Sequence, residues 1–255
     1  MYIETHAHLN FEKFNDDLDE TIRRAENAGV QRIINIGIDI KTSRESIELA
    51  EKYEAVHASA GIHPHDSVKV KDSDWDELHE LLRHPKVVAL GEIGLDFYRD
   101  YAPRDVQLKV LLRQLEIAVE EKIPIIVHTR NSWQDIYDIF DRNEYKGKLS
   151  GVFHCFSGNE QHAQKVLDWG FHISFTGVVT FKNASALNVA AGVPLERLML
   201  ETDCPFMAPV PFRGKRSEPA HIPLISDKIA EAKDIPEKRV AEQTTRNAQE
   251  LFGID

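Results

Sequence analysis

The chain alternates short runs of β-branched residues with longer segments of helical periodicity along its whole length. Eight runs predict strands, at Tyr2 to His8, Arg32 to Ile38, Val56 to Ile62, Val87 to Ile93, Pro124 to Thr129, Gly151 to Phe156, His172 to Thr176 and Leu198 to Asp203. Because a helical segment follows each predicted strand, consecutive strands are expected to be parallel and joined by crossover helices.

The intervals predict helices, among them Asp16 to Ala28, Ser43 to Lys52, Arg104 to Glu121 and Glu160 to Trp169, with two more at Pro223 to Lys233 and Pro236 to Phe252. No Gly-rich nucleotide-binding motif follows the first strand, which favours a closed α/β barrel over an open doubly wound sheet. We therefore expect a (β/α)8 TIM barrel. The 255 residues suit one such barrel, so residues 1–255 are expected to form a single domain.

Charge and composition restrict the classes of partner. With 42 acidic against 31 basic residues, the net charge of -11 argues against diffuse, charge-driven wrapping of nucleic acid. A cleft that holds cations could still attract a phosphate. No apolar stretch reaches membrane-spanning length, and nothing resembles a secretory signal, so we expect a cytoplasmic protein with no membrane association and no obligate protein partner.

His6 and His8 lie two residues apart in the first predicted strand. Alternate residues of a strand point to the same side, so both imidazoles can bind one cation. Such a pair is a weak signal by itself, but catalytic groups of barrels gather at the carboxyl ends of the strands, where this pair lies.

The same position on other strands carries further metal-ligand types, namely Glu92, His128, His154 and Asp203. Any one of them could be a satisfied buried histidine or a helix-capping carboxylate. Together with the histidine pair they make six candidate ligands at one barrel mouth, where buried charge must be paired or bound to metal.

Six ligands exceed the three protein ligands that a single catalytic zinc commonly uses, which predicts two divalent cations. We expect Glu92 to bridge them, with His6, His8 and Asp203 completing one site and His128 and His154 the other. A water activated by the cations would attack the substrate, and Asp203 is a candidate to accept its proton. The ligand types suit Mg²⁺, Mn²⁺ or Zn²⁺ and do not choose between them.

Six stretches carry a family resemblance: ETHAHLN at 4–10, GIHPH at 61–65, GEIGLDFYRD at 91–100, PIIVHTR at 124–130, FHCFSG at 153–158 and ETDCPFMAPVPFRGKRSEP at 201–219. In order and spacing they resemble the TatD family of metal-dependent deoxyribonucleases, within the amidohydrolase-like barrels, over essentially the whole chain. The resemblance implies a barrel of the metallo-dependent hydrolase type and phosphodiester hydrolysis of DNA, often with nucleotides removed from a 3′ end.

The resemblance also implies that His63, Arg130 and Arg213 face the substrate. Each has a simpler interpretation, such as a turn-forming histidine before Pro64 or an arginine paired with a carboxylate. Glu4 stands where the family usually has aspartate, and an outer contact to a ligating histidine is expected there. Glu201 precedes Asp203 by two residues and is expected to face inward and orient a histidine.

Aromatic side chains near the predicted mouth are candidates to stack on bases, namely Phe97, Tyr98, Tyr101, Phe156, Phe206 and Phe212. Several of them are expected only to pack loops. Cys155 and Cys204 each follow a candidate ligand, so strand alternation predicts that both point away from the site into the core.

Two other functions fit the sequence. A metal-activated water also attacks carboxylic esters, lactones and amides, which allows an enzyme such as a D-aminoacyl-tRNA deacylase. Many such barrels bridge their metals with a modified lysine, whereas this chain has Glu92 at that position. A non-catalytic scaffold is the second alternative, because fold does not imply function, but the complete ligand set argues against it.

Overall fold

Eight parallel strands form one sheet in the order β1 to β8 in the computed structural model, which describes residues 1–99, 101–142 and 144–255. The strands are β1 (Tyr2–Ala7), β2 (Val30–Asn35), β3 (Val56–Ala60), β4 (Val87–Asp96), β5 (Ile125–Arg130), β6 (Gly151–Phe153), β7 (His172–Phe175) and β8 (Leu198–Leu200). Asp100, the last residue of the GEIGLDFYRD stretch, lies outside the described residues.

The barrel closes between β1 and the segment that follows β8. Ala7 and Cys204 form a parallel bridge, the His8 amide donates to the Cys204 carbonyl at 2.9 Å, and the Asp203 amide donates to the His6 carbonyl at 3.0 Å. These bonds place the histidine pair directly beside Asp203. The expected (β/α)8 TIM barrel is confirmed.

Helices alternate with the strands as predicted. They are α1 (Leu18–Asn27), α2 (Ile40–Lys52), α3 (Asp72–Leu82), α4 (Arg104–Glu121), α5 (Trp133–Phe140), α6 (Glu160–Asp168), α7 (Ser185–Gly192), α8 (Ile222–Lys233) and α9 (Glu237–Phe252). α2 begins three residues before its predicted start because Asp39 and Thr42 cap each other's backbone amides. Within the described ranges, no helix combines the length and the apolar character needed to cross a membrane.

The strands are apolar on both faces because helices cover the outside and side chains fill the inside of the barrel. Leu90, Ile93, Ile125 and Val127 of the two central strands are fully buried. At Gly94 (φ +146°) the backbones of β4 and β5 approach so closely that a Cβ would lie 1.9 Å from the carbonyl oxygen of His128. Only glycine fits this position without displacing β5.

Six predicted strands, all except β4 and β5, end one to three residues too late. The chain leaves the extended conformation where it enters the barrel mouth. Cys155 (φ 42°) and Asp203 (φ 53°) adopt the left-handed region, which non-glycine residues rarely occupy. Such strained residues cluster at functional sites, and here the strain accompanies the turn of His154 and Asp203 toward the barrel axis.

The long connection after β8 reaches a short 3-10 turn at Pro219–His221 and is tied to the start of α1 by charged groups. The Arg216 guanidinium donates to both carboxylate oxygens of Asp17 at 2.7 Å. Arg24 donates to Asp17 at 2.9 Å and to Glu218 at 2.6 Å. Hydrogen bonds from Arg216 and Arg24 hold the pKa of Asp17 below its ordinary value.

Replacement of Asp17 by Asn is therefore expected to lower the free energy of unfolding by about 1 kcal/mol near neutral pH, a value reduced by partial solvent screening. A depressed folded-state pKa stabilises the fold above the unfolded pKa of about 3.9, and this contribution is lost as the pH falls further. Denaturant unfolding of the wild type and the variant at several pH values should show the difference shrinking below about pH 4.

Asp16→Asn is the matched control, since Asp16 is the exposed neighbour of Asp17. We expect its effect on unfolding to stay small at every pH. An Asp17→Asn difference that does not depend on pH would show that the ionic contacts do not hold the loop.

Candidate metal centre

The six predicted ligands meet at the carboxyl end of the barrel, and five of them, all except His6, line a cavity of about 690 Å³. Each comes from the end of a strand or from the residues directly after it: His6 and His8 (β1), Glu92 (β4), His128 (β5), His154 (β6) and Asp203 (β8). The parallel arrangement of the strands brings all of these ends to one face.

A first group of donor atoms consists of the Nε2 atoms of His6 and His8, one oxygen of Asp203 and one oxygen of Glu92. The two Nε2 atoms are 3.3 Å apart, and Asp203 Oδ1 lies 3.4 Å from His8 Nε2. Glu92 Oε2 lies 3.3 Å from His6 Nε2. The donors of His6, His8 and Asp203 lie within 4.8 Å of one another, close enough to hold one ion, and Glu92 adjoins them.

The second group faces the other carboxylate oxygen of Glu92. His154 Nε2 lies 2.7 Å and His128 Nδ1 2.8 Å from Glu92 Oε1, and the two nitrogens are 3.2 Å apart. Glu92 thus presents one oxygen to each group of donors, as the bridging position predicted for it requires.

The donor set fits cations. Two nitrogen ligands bound about 2.1 Å from one tetrahedral zinc ion lie about 3.4 Å apart, which matches the separations in the first group. The facing Nε2 atoms of His6 and His8 can share only one proton, whereas a cation would use both lone pairs. The Nδ1 atoms of the same two rings are buried and have no hydrogen-bond partner among the described residues.

Charges within the centre are strongly coupled. Burial alone would raise the pKa of Glu92, yet His154, His63 and His128 hold it well below its ordinary value. Burial alone would lower the pKa of His154, but the carboxylates of Glu92 and Glu201 raise it well above its ordinary value. His154 must lose this proton to bind a cation, so cation affinity should fall as the pH falls.

Carboxylates lie behind two of the imidazoles, and one of them, Asp96, is close enough to orient its ring. His128 Nε2 lies 3.1 Å from Asp96 Oδ2, so its proton faces Asp96 and its Nδ1 lone pair faces Glu92. His154 Nδ1 lies 3.6 Å from Glu201 Oε1. Glu201 also accepts a hydrogen bond from Ser174 Oγ at 2.6 Å, which fixes the carboxylate. Such outer carboxylates set the tautomer of a metal-bound histidine.

Glu4 has a different position from the one expected. It is fully buried and accepts hydrogen bonds from the backbone amides of His6 at 2.9 Å and Thr202 at 3.0 Å, not from an imidazole. Burial raises the pKa of Glu4 to about 8. The side chain therefore ties β1 to the end of β8 at the closure of the barrel.

His63 lies at the edge of the second group, with Nε2 3.5 Å from Glu92 Oε1. Its Nδ1 accepts a hydrogen bond from the His65 amide at 3.1 Å, so the neutral ring carries its proton on Nε2. Burial keeps the pKa of His63 well below its ordinary value. The ring thus points an N–H donor at the centre, which suits a substrate oxygen better than a metal ion.

Sequence reasoning missed Asp96 and His65. Asp96 Oδ2 lies 3.1 Å from both His128 Nε2 and His65 Nε2, and its Oδ1 accepts from the Tyr98 amide at 2.9 Å. The spacing in the sequence could have identified Asp96. It follows Glu92 by four residues in one strand, and an even spacing places both side chains on one face.

The two predicted substrate arginines have different surroundings. Arg130 lines the cavity, and its guanidinium carbon lies 3.7 Å from the centroid of the Tyr98 ring. Arg213 is exposed in the loop after β8, 4.4 Å from the centroid of the Phe181 ring, and is not among the cavity-lining residues. Of the two, only Arg130 shares the cavity wall with the donor groups.

The aromatic side chains that are candidates to stack on bases also differ in their surroundings. Phe206 and Phe156 both line the cavity, but Phe206 is 44% exposed, whereas Phe156 is buried against Trp133. Phe212 stacks on His221 with 4.5 Å between ring centroids, and Tyr101 meets the His65 ring edge to face. Phe97 packs beneath Arg104.

Both cysteines are free thiols. Cys204 is fully buried in the core, as expected, but Cys155 lines the cavity. The expectation for Cys155 is wrong because β6 ends at Phe153, so strand alternation no longer applies two residues later.

Comparison with known proteins agrees with this geometry. Residues 3–253 match the family described as TatD related DNase. The chain is 41% identical to the uncharacterized metal-dependent hydrolase YabD of Bacillus subtilis over 100% of both chains. It is 33% identical to the 3′-5′ ssDNA/RNA exonuclease TatD of Salmonella typhimurium over 97% of each chain.

A solved structure has the same fold. The TatD homolog YJJV of Escherichia coli superposes with a TM-score of 0.94 at 32% identity and covers 100% of this chain and 98% of its own. The family match spans nearly the whole chain and includes all six residues of the two donor groups. This protein is a metal-dependent hydrolase and belongs to the TatD family.

Proposed function

We propose that this protein is a deoxyribonuclease that uses two divalent cations to release nucleotides from an end of single-stranded DNA. The observation that carries the proposal is the Glu92 carboxylate, whose two oxygens face two separate groups of donors. The name of the Salmonella relative, an exonuclease acting on single-stranded DNA and RNA from 3′ to 5′, supports the substrate class and the direction.

Divalent cations, when bound, supply an activated water and neutralise the charge on a phosphate. The first group would hold one cation through His6, His8 and Asp203, and the second would hold another through His128 and His154. Glu92 would take part in both sites. Asp96 would hold the imidazole of His128 in the required tautomer.

Asp203 is suited to take up a proton at the reacting centre. Its side chain is 13% exposed, more than those of His6, His8 and Glu92, and it lines the cavity. A carboxylate that touches both the donor group and the open cavity is within reach of an attacking water. We assign Asp203 the roles of ligand and proton acceptor.

Two groups would bind the phosphate. His63 directs its Nε2 proton into the centre and can donate to a phosphoryl oxygen. Arg130, on the cavity wall, offers the planar fork that binds a phosphate through two hydrogen bonds. A carboxylic ester would not need this arginine, which favours a phosphodiester over the acyl substrates of related metal-dependent barrels.

Metal-stripped protein should not cleave a 5′-labelled single-stranded oligonucleotide, and addition of Mg²⁺, Mn²⁺ or Zn²⁺ should restore stepwise release of nucleotides. Asp203→Ala should remain inactive with every metal, because it loses a ligand and the proton acceptor. Gel analysis of the products measures both. Metal-dependent cleavage of a carboxylic ester without cleavage of DNA would redirect the substrate to an acyl ester, and no turnover of either would support a scaffold.

Glu92→Gln should lower kcat by about a thousandfold, since loss of the shared ligand removes several kcal/mol of metal-dependent stabilisation. Calorimetric titration with Mn²⁺ should show fewer bound ions or much weaker binding than in the wild type. Glu242→Gln on the exposed face of α9 is the control and should behave as the wild type in both assays. A Glu92→Gln protein with full activity would exclude the bridged centre.

Arg130→Ala should raise KM for the oligonucleotide about tenfold with little change in kcat, the expected loss for one charged hydrogen bond to a phosphate. Arg213→Ala should have a smaller effect, because its side chain does not line the cavity. Steady-state kinetics at two salt concentrations should show weaker salt dependence for Arg130→Ala than for Arg213→Ala. A larger increase in KM for Arg213→Ala than for Arg130→Ala would indicate that the phosphate binds at the loop after β8.

A further inference from the structure

One side of the cavity is apolar and takes no part in the metal centre. We define the apolar bay as Val178, Ala184, Ala186, Phe206 and Met207, which line the cavity from the β7–α7 connection, the first turn of α7 and the loop after β8. Phe206 is 44% and Met207 41% exposed, although both are large and apolar. Exposed apolar surface grouped at one site commonly marks a binding surface.

The two sides of the cavity differ in charge. Every cavity-lining residue between positions 175 and 186 is neutral, as are Phe206 and Met207. The opposite side carries His63, Asp96 and Arg130. The bay has no charged lining residue, although Lys13 Nζ lies 5.5 Å from the centroid of the Phe206 ring, so a group that fills the bay should be uncharged.

The bay starts directly at the metal centre. The Phe206 amide donates to the carbonyl of Asp203 at 2.9 Å, and the Phe206 ring centroid lies 6.5 Å from that of His8. If the phosphate of a nucleotide is held at the centre, the sugar and base of that nucleotide would therefore reach the bay.

The two loops that line the bay are fixed to each other. A Cβ on Gly177 would lie 2.1 Å from the carbonyl oxygen of Met207, so the backbones are in direct contact. The Val210 amide donates to Thr180 Oγ1 at 2.8 Å. These contacts fix the two loops relative to each other and give the bay a defined shape.

We infer that the apolar bay binds the base of the nucleotide that is released, by stacking and apolar contact. This inference rests on the proposed nuclease function and names the site that positions its substrate. Phe206 offers an exposed ring, and Met207 offers a flexible thioether that adapts to bases of different size. Because every base has an aromatic face, stacking of this kind does not select a particular base, so purines and pyrimidines should both be accepted.

The preceding part of the strand would then leave the bay toward the charged side. Arg130 lies there over the ring of Tyr98, which is 55% exposed. A terminal base in the neutral bay and a phosphate near Arg130 would hold the strand in one direction across the two cations.

Cleavage of two 5′-labelled oligonucleotides tests the inference, one with a normal 3′-terminal nucleotide and one with an abasic terminal residue. With Mn²⁺ bound, the wild type should cleave the normal end with a kcat/KM about tenfold higher, as the stacking of one base predicts. In Ala186→Trp the new ring should occupy the bay and remove this preference.

Asn188→Trp places the same ring on α7 at an exposed residue that does not line the cavity, and should keep the wild-type preference. Phe206→Ala removes an exposed ring and should reduce the preference even if Ala186→Trp folds poorly. Equal cleavage of both ends by the wild type, or an unchanged preference in Ala186→Trp and Phe206→Ala, would overturn the inference. Absence of metal-dependent cleavage at either end would instead contradict the proposed function.

Product inhibition provides a measurement that does not depend on the direction of cleavage. Deoxyadenosine monophosphate should inhibit the wild type about tenfold more strongly than deoxyribose phosphate, since the two share the phosphate and differ in the base. Phe206→Ala should bring the two inhibition constants together. Equal inhibition of the wild type by both compounds would show that the bay does not bind the base.

Discussion

The contact on which the site depends is the one between the Glu92 carboxylate and the histidines on both sides of it. Oε1 lies 2.7 Å from His154 and 2.8 Å from His128, while Oε2 lies 3.3 Å from His6. A buried carboxylate needs such partners to remain charged. Strands from opposite sides of the barrel are therefore held in a fixed register around one side chain, and the geometry of both donor groups follows from it.

The sequence allowed the barrel and the six donors to be predicted because both depend on periodic or repeated features. Strand and helix alternation identifies a parallel barrel, and the ends of parallel strands share one face, so ligand-type residues there must converge. The predicted carboxyl-terminal ends of the strands, which lie at this face, were less accurate than the rest of the barrel. Cys155 and Asp203 leave the extended conformation through left-handed backbone, which no residue-type preference at these positions indicates.

Contacts between distant elements were also beyond the sequence. Asp96 shares a strand with Glu92, but its position beside both His128 and His65 depends on how three strands pack. Glu4 was expected near an imidazole and instead accepts from two backbone amides at the closure of the barrel. The apolar bay is formed by two loops whose approach depends on the contact of Gly177 with Met207, a tertiary feature without a local signal.

Closure of the barrel between β1 and the segment after β8 has a consequence for synthesis of the chain. The first donor group combines His6 and His8, near the beginning of the sequence, with Asp203, which is made after four-fifths of the chain. The Asp203 amide reaches the His6 carbonyl only when the last strand joins the first. A growing polypeptide on the ribosome therefore cannot assemble this donor group until the final strand is in place.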